Sequence, residues 1–350
     1  MAPQKSKSAT KPAKKPVLKS VGESLGQEQI SPPPVPVKFL QPVLDIFRIS
    51  LSERLLSDFQ PLLQEVKGHL YNRDFVAAFG KEEYLETYAA RWSPSRALAY
   101  LQVFADLKEH LVPSAEGSLE TDVEQNKIVC LGGGAGAEIV ALAGFLSQLH
   151  NTETGQTRAL HSDVVAIDIA NWSAVVENLK HNITTAPPVS QYASAAAQAA
   201  NLPLASRETF HASFHQHDIL TTDFSVMQPL FQDARLVTLM FTLNELYSTS
   251  RSRTQNFLLN LTGCARPGSL LLVVDSPGSY SAVSLNGAKK RYPMQWLVDH
   301  ALLRDGAKEA DAAWEKIVED ESRWFRLLPT LRYPIELENM RFQMHLYRRL

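Results

Sequence analysis

Residues 127–138 read Lys127-Ile128-Val129-Cys130-Leu131-Gly132-Gly133-Gly134-Ala135-Gly136-Ala137-Glu138, and an apolar run from Ile139 to Leu149 follows them. A short run of β-favouring residues therefore leads into a glycine-rich turn and then into a predicted helix. The first turn of a helix presents unpaired backbone N–H groups and the positive end of the helix dipole to a ligand. This segment predicts a binding site for a nucleoside-containing cofactor.

Each glycine of this turn has its own expected role. Gly132 permits the tight turn, Gly134 lets a cofactor lie against bare backbone, and Gly136 lets the helix pack close to the sheet. The spacing Gly132-x-Gly134-x-x-Ala137 fits a dinucleotide fingerprint, whereas Gly132-x-Gly134-x-Gly136 fits the loop of an S-adenosylmethionine (SAM) methyltransferase. The glycines alone leave both cofactors open, and a structural turn without a cofactor as well.

Composition predicts an ordinary soluble protein. The chain has 350 residues, of which 45% are hydrophobic and 21% charged, enough for one large core or one core with a small accessory domain. No run of 18 apolar residues exists and the start lacks a secretory signal, so we expect no membrane span and an intracellular protein. The two cysteines, Cys130 and Cys264, cannot form a metal cluster, and we expect no bound metal.

The first part of the chain is predicted to be a disordered tail over residues 1–37. Its first twenty residues hold six lysines and no acid, and it ends in the proline-rich segment Ser31 to Pro36. Such a segment cannot bury a core. It serves as a nuclear address, as an arm that contacts nucleic acid, or as a solvated tail without a task.

A helical cap is predicted for residues 38–113, because apolar residues recur there at helical spacing and suggest three or four helices. We expect its aromatic stripe to be core. The alternative is that some polar and aromatic members of this region face a substrate, namely Tyr84, Tyr88, Arg91, Trp92 or Arg96.

Residues 114–350 are predicted to form one cofactor-binding α/β domain. Strands are expected at 128–131, 164–169, 210–215, 236–243 and 269–275, with helices at 135–149, 172–182 and 253–265. This alternation predicts a doubly wound, mostly parallel sheet of Rossmann-like type with helices on both faces. Two final β-rich runs, 324–328 and 340–348, have no crossover helix between them, which predicts an antiparallel C-terminal strand of the kind that closes a methyltransferase sheet. The Ala- and Ser-rich segment 186–206 is expected to be an inserted loop or loose helix.

Two acidic residues follow predicted strands. Asp168 ends the second strand, where a carboxylate can accept hydrogen bonds from both ribose hydroxyls of a nucleoside; the alternative is a helix cap. Asp218 follows the third strand and either contacts an adenine amino group or belongs to a turn. His211, His215 and His217 alternate on one strand face, but no acid or cysteine joins them at ligand spacing, so an exposed strand face is expected rather than a metal site.

The segment Phe241 to Tyr247 is the predicted catalytic region, since reacting ligands lie beyond the carboxyl ends of the central strands. Glu245 can accept a proton, Asn244 can donate to a carbonyl, and Tyr247 can stack on a substrate. The alternative is a helix that begins with Asn244 as its N-cap. Asp275 to Tyr280 would form the neighbouring wall, and the basic run 289–291 before Trp296 either suits a nucleic-acid strand or is a solvated turn.

Four motifs together resemble the fungal family of large-subunit ribosomal RNA uridine-N3 methyltransferases. They are residues 131–138, 242–247, 274–280 and 292–296, and the likeness covers 38–350. The resemblance implies a class I, seven-stranded, SAM-dependent enzyme that acts on ribosomal RNA or a pre-ribosomal particle in the nucleus and nucleolus. It also implies that Gly132, Gly134, Gly136, Glu138 and Asp168 serve the cofactor. Cys130 departs from the wider methyltransferase pattern, in which an acid often stands two places before the first glycine.

The sequence therefore predicts methyl transfer from SAM to N3 of a ribosomal uridine, with Glu245 as proton acceptor and Asn244 holding a uracil carbonyl. Three rivals remain: a methyltransferase of a protein or small molecule, a non-catalytic ribosome-assembly factor, and a nicotinamide oxidoreductase. The predicted catalytic residues are Asn244, Glu245 and Tyr247, and the predicted cofactor-binding residues are Gly132, Gly133, Gly134, Gly136, Glu138, Asp168, Asp218 and Thr242.

Overall fold

Strands and helices alternate along most of the chain, in the residues that the computed structural model describes: 35–57, 59–112, 125–152, 160–278, 280–285, 288–303 and 312–350. The basic tail up to residue 34 and the acidic segment 113–124 lie outside this part. The strands are β1 (Gln125–Leu131), β2 (His161–Asp168), β3 (Phe210–Gln216), β4 (Ala234–Met240), β5 (Leu270–Asp275), β6 (Tyr280–Leu285), β7 (Ala288–Pro293), β8 (Trp314–Phe325) and β9 (Met340–Arg349).

Seven of these strands form one sheet in the order β3-β2-β1-β4-β5-β9-β8, while β6 and β7 form a separate antiparallel hairpin. Strands β1 to β5 are all parallel to one another. Strand β9 runs antiparallel to both β5 and β8. The predicted doubly wound, mostly parallel seven-stranded sheet with an antiparallel C-terminal strand is confirmed.

Helices cover both faces of this sheet. Those before β1 are α1 (Val37–Ser50), α2 (Ser52–Leu56), α3 (Phe59–Tyr71), α4 (Phe75–Ala78), α5 (Glu82–Asp106) and α6 (Lys108–Leu111). Those after β1 are α7 (Ala137–Thr152), α8 (Ser173–Ile183), α9 (Ala195–Ala199), α10 (Phe224–Phe231), α11 (Leu243–Thr249), α12 (Arg251–Cys264) and α13 (Met294–Leu302). The expectation of three or four N-terminal helices was wrong, because short turns of helix join the longer ones.

Each face of the sheet packs against a separate hydrophobic core, and successive side chains of β1 point into the two cores in turn. Ile128 and Cys130 belong to a core shared with α1, α5, α7 and α8, whereas Val129 and Leu131 belong to a core shared with α10, α12 and α13. A strand that is buried on both faces has no polar alternation, which explains the continuous apolar sequence Ile128 to Leu131. The N-terminal helices therefore pack on α7 and α8 and share their core.

Helix α5 runs for 25 residues although Pro94 lies inside it. Proline has no N–H, so the carbonyl of Ala90, four residues earlier, loses its helical partner. The Tyr333 hydroxyl donates to that carbonyl at 3.1 Å, and the Glu338 N–H donates to Ser95 Oγ at 3.1 Å. These bonds dock the segment before β9 on the middle of α5, and this contact forms one side of the site described below.

Several predicted boundaries differ from the structure. Strand β4 ends at Met240, not at Leu243, because Phe241 takes a left-handed φ of +58° and Thr242 precedes α11. Strand β8 begins at Trp314, ten residues before the predicted run. The loose helix expected within 186–206 is the five-residue α9.

Two of the expected absences concern the described ranges. No helix among them combines the length and apolar character that a membrane span requires. Nor do these residues contain a group of three or more His, Cys, Asp or Glu placed to hold a metal ion. Cys130 and Cys264 are free thiols.

Candidate cofactor and substrate site

The glycine-rich loop lies at the carboxyl end of β1, between the ends of β2 and β4. Gly132 and Gly136 have φ values of +72° and +79°, so the turn conformation predicted for Gly132 is observed. The Gly132 N–H donates to the carbonyl of Ile167 at 2.8 Å, and the Gly136 N–H donates to that of Gly133 at 3.0 Å. These bonds fix the loop between β1 and β2, with the N-terminus of α7 directly after it.

Neighbouring side chains exclude a Cβ at the positions of this loop. A Cβ at Gly132 would lie 2.2 Å from Thr242 Oγ1, and one at Gly134 would lie 2.0 Å from the Trp172 ring. A Cβ at Gly136 would lie 2.1 Å from Leu179 Cδ1, in α8. The expected role of Gly136 is therefore corrected, since the absence of its Cβ makes room for Leu179 of α8 rather than for the sheet. At Gly134 the absence of a Cβ makes room for the Trp172 indole, and contact between its backbone and a cofactor stays a prediction.

Glu138 lies beneath the loop instead of at an open surface. Its side chain is 2% exposed, and the Thr238 hydroxyl donates to Oε1 at 2.5 Å. Burial raises the pKa of Glu138 to about 8, with Thr238 and Arg96 opposing the rise and Asp168 adding to it. Burial thus disfavours the ionised form of this carboxyl, and contact between Glu138 and a cofactor stays a prediction.

Asp168 ends β2 beside the same loop. Its carboxylate accepts the Gly134 N–H at 3.2 Å and the Ala170 N–H at 3.3 Å. Burial raises the pKa of Asp168, and these amides together with the Trp172 indole oppose the rise. The Trp172 Nε1 is itself buried and reaches no acceptor of good hydrogen-bond geometry within the described chain.

Phe241 joins β4 to α11 in a conformation that a non-glycine residue rarely adopts, with φ +58°. Its N–H donates to the Val274 carbonyl at 2.7 Å, and its ring stacks on Tyr100 with centroids 6.5 Å apart. The next residue, Thr242, donates its hydroxyl to the Leu131 carbonyl at 3.1 Å. Strained backbone of this kind concentrates at functional sites.

The three predicted catalytic residues lie in α11 but differ in exposure. Glu245 is half-exposed in the first turn, and its Oε2 lies 3.7 Å from Arg73 Nη1. The backbone N–H of Asn244 donates to Asp275 Oδ2 at 3.1 Å, and Thr242 rather than Asn244 is the N-cap residue. Tyr247 is 3% exposed, and its hydroxyl oxygen accepts from Gln255 at 2.9 Å. The expectation that Tyr247 stacks on a substrate was wrong, since its ring lies in the core under α11.

Asp218 makes turn contacts. Its carboxylate accepts the Leu220 N–H at 2.9 Å and the Thr221 hydroxyl at 2.7 Å. These bonds belong to the turn alternative, and adenine contact stays a prediction. In the neighbouring wall, Asp275 is buried and binds the amides of Asn244 and Ser276. Ser279 and the side chains of 289–291 lie outside the described part, although the strand β7 that carries the basic run is described.

A pocket of about 230 Å³ opens between α5 and the start of β9, at the same edge of the sheet. We call it the α5–β9 pocket; its walls include Arg91, Trp92, Arg96, Phe241, Asn339 and Arg341. Three of the five residues singled out in the helical region thus face this pocket. Tyr84 instead bonds to Glu65, and Tyr88 packs against Trp92 and Trp172. The Ser93 hydroxyl donates to the Ala135 carbonyl at 2.7 Å, so the pocket is joined directly to the glycine-rich loop.

Comparison with known proteins identifies the family. A family model described as a putative SAM-dependent methyltransferase matches residues 47–348. The chain belongs to this family. It is 35% identical over 327 residues to the 25S rRNA (uridine(2843)-N(3))-methyltransferase of Saccharomyces cerevisiae, a match that covers 88% of this chain and 85% of the relative. The cofactor is therefore SAM, and the predicted resemblance is confirmed.

Solved structures also align, at low similarity. A SAM-dependent methyltransferase from Methanosarcina mazei has 13% identity and a TM-score of 0.35, over 65% of this chain and 93% of that one. Human N-acetylserotonin methyltransferase in complex with SAM has 13% identity and a TM-score of 0.34, over 86% and 70%. TM-scores this low support no conclusion about the site. The fold assignment is based on the observed strand order.

The residues at the loop fit the nucleoside part of SAM. Asp168 is partly exposed at the end of β2, and its two carboxylate oxygens, which accept the Gly134 and Ala170 amides, are acceptors that ribose hydroxyls can approach. Ile169, the next residue, is 61% exposed and presents an apolar side chain next to this carboxylate in the chain. Sequence reasoning missed Ile169, although an apolar residue directly after the strand-ending acid was a usable signal. It also missed Trp172, whose contact with Gly134 depends on how α8 packs.

Proposed function

We propose that the protein transfers a methyl group from SAM to N3 of a uridine in large-subunit ribosomal RNA. The observation that carries the proposal is the 35% identity to a relative named for that reaction, over 88% of this chain. The family model, which matches residues 47–348, includes the glycine-rich loop, α11 and the α5–β9 pocket.

The reaction requires the protein to hold SAM beside the uridine and to remove the proton from N3. SAM supplies an electrophilic methyl group, and the N3–C bond forms as the S–C bond breaks. Uridine N3 carries a proton at neutral pH, so a neighbouring group must accept that proton for N3 to act as nucleophile. We assign this role to Glu245, because it lies in the first turn of α11, just beyond the carboxyl end of β4, and its buried Oε2 has no hydrogen-bond partner among the described residues. The Asn244 side chain is assigned to a uracil carbonyl.

Surface residues near the site favour RNA over a small molecule. Trp324 is 49% exposed, with the Arg326 guanidinium 4.0 Å and the Arg341 guanidinium 5.8 Å from its ring centroid. Exposed aromatic rings beside arginines suit stacked bases and phosphates. Arg341 also lines the α5–β9 pocket, so this surface continues into it. The proposed location is the nucleus and nucleolus, with the lysine-rich tail as the address.

Cells provide the test of the substrate. Nucleosides from large-subunit ribosomal RNA would be compared in cells with and without the protein, and the proposal predicts that one 3-methyluridine disappears and returns when the gene is restored. An unchanged 3-methyluridine content would contradict it.

The proton acceptor needs its own test. Restoring the gene with Glu245→Gln should leave SAM binding intact while the modification stays absent, whereas Glu177→Gln, at an exposed position of α8, should restore it fully. A rate that is unchanged in Glu245→Gln at every pH would remove Glu245 from this role.

A further inference from the structure

The α5–β9 pocket contains aromatic rings and cations that the assignments above do not use. Arg91, Trp92 and Arg96 of α5 all line this pocket, and Trp92 and Arg96, four positions apart, share a helix face. Phe241, the strained residue at the end of β4, closes the pocket on the side of the sheet. The pocket therefore begins where reacting ligands lie in a doubly wound sheet.

Arg96 is held in a fixed orientation at this wall. Its Nη1 donates to the Tyr88 hydroxyl at 2.7 Å, and its guanidinium lies 5.6 Å from the Tyr88 ring centroid and 5.5 Å from that of Phe241. Burial lowers the pKa of Arg96, but Tyr88, Tyr100 and Glu138 outweigh it and the pKa lies above its ordinary value. The side chain is thus a permanent cation beside two rings.

Arg91 adds a second donor to the same wall. It is 8% exposed, and its Nη2 pairs with the Glu338 carboxylate. Its Nη1 is buried and has no hydrogen-bond partner within the described chain. Because a buried donor without a partner costs about 1–3 kcal/mol, an acceptor on a bound ligand would relieve that cost.

Uracil matches this set of groups. When N3 loses its proton, the negative charge spreads over N3 and the two flanking carbonyl oxygens, O2 and O4. An arginine donates and never accepts, so it stabilises this anion and suits the O4 carbonyl of uracil. Cytosine has an amino group at that position. Two hydrogen-bond donors would then face each other, so the arginine disfavours cytosine. The rings of Trp92 and Phe241 supply surfaces for stacking.

We propose that the α5–β9 pocket receives the target uracil and that Arg96 donates to a carbonyl of that base, stabilising the charge that develops as N3 loses its proton. The inference rests on the proposed uridine-N3 methyl transfer. The N3–H bond breaks as its proton passes to the acceptor of the proposed function, the N3–C bond forms as the S–C bond of SAM breaks, and S-adenosylhomocysteine leaves. Arg96 itself exchanges no proton.

The dependence of rate on pH tests this role. Ribosomal particles from cells that lack the protein would be incubated with it and SAM carrying a labelled methyl group. At pH 7 we expect Arg96→Gln to be slower by about 100-fold, the usual effect of losing one anion-stabilising donor. The deficit should shrink as pH rises, because solvent then removes the proton without help. Arg96→Lys should lie between, and Arg48→Lys, at an exposed position of α1, should match the wild type.

A deficit of Arg96→Gln that is the same at every pH would indicate a structural role and overturn the inference, while leaving the proposed function intact. Absence of any 3-methyluridine with the wild-type protein would overturn the proposed function and the inference with it. Titration with SAM should give wild-type affinity for both Arg96 variants.

A second measurement uses only the wild-type protein, so it does not depend on whether a variant folds. Particles from cells grown with 4-thiouracil would be irradiated with the wild-type protein, and the crosslinked peptides mapped. Crosslinks to Trp92 or Phe241 are expected. Crosslinks confined to other parts of the chain would overturn the assignment of this pocket.

Discussion

Replacing Glu138 with glutamine tests the buried acid beneath the glycine-rich loop. Below pH 4.5, the ordinary pKa of the group, the carboxyl is protonated in both the folded and the unfolded chain. As pH rises from there to about 8, the unfolded chain releases a proton that the folded chain retains. The free energy of unfolding therefore falls over this interval and levels off above it.

The magnitude follows from the pKa change. A tenfold change in proton affinity is worth about 1.4 kcal/mol, so a rise to about 8 sets an upper limit of roughly 5 kcal/mol on the stability lost by pH 9. Glutamine is neutral at every pH and keeps an oxygen for the Thr238 hydroxyl. Relative to the wild type, Glu138→Gln should gain a few kcal/mol of stability between pH 5 and pH 9, whatever constant offset the amide introduces.

Urea denaturation at several pH values measures this difference, with the exposed Glu177→Gln as matched control. Glu177→Gln should run parallel to the wild type throughout. A Glu138→Gln curve that also stays parallel would refute the argument that burial holds the folded carboxyl neutral.

Three further predictions follow from the same contacts. Gly134→Ala places a methyl group 2.0 Å from the Trp172 ring, so it should lower the free energy of unfolding by about 1–3 kcal/mol, and an unchanged urea midpoint would contradict the packing. Asp168→Asn removes a charged acceptor worth about 1.5–3 kcal/mol, so calorimetric titration should show SAM binding weakened by about 10- to 100-fold; unaltered affinity would exclude the assigned ribose contact. Tyr247→Phe deletes only the bond from Gln255, so it should cost about 1 kcal/mol of stability with full methylation activity, and a large loss of turnover would return Tyr247 to the catalytic set.

Local patterns were sufficient for the central sheet. The run Ile128 to Leu131 and the positive φ of Gly132 depend on neighbouring residues, so the sequence predicted the first strand and its turn. The same holds for the antiparallel C-terminal strand, since two β-rich runs without a helix between them usually pair side by side and antiparallel. Much of β8 was missed because it is an edge strand with exposed charged residues, such as Glu319 and Glu321, in its middle.

The site was less predictable because its contacts join distant parts of the chain. Pro94 would normally end a helix, and α5 continues past it where Tyr333, 243 residues from Ala90, bonds the freed carbonyl. Nothing in the local sequence distinguishes buried Tyr247 from half-exposed Glu245, both of which lie in one short helix. The α5–β9 pocket exists only because the segment before β9 docks on α5.

The identity of the methylated nucleoside tests the account most directly. Ribosomal particles from cells lacking the protein would be incubated with the purified chain and SAM carrying a labelled methyl group, and the RNA digested to nucleosides for mass spectrometry. The account predicts label in 3-methyluridine. Label in 5-methyluridine, in a ribose 2′-O-methyl group or in protein alone would contradict it.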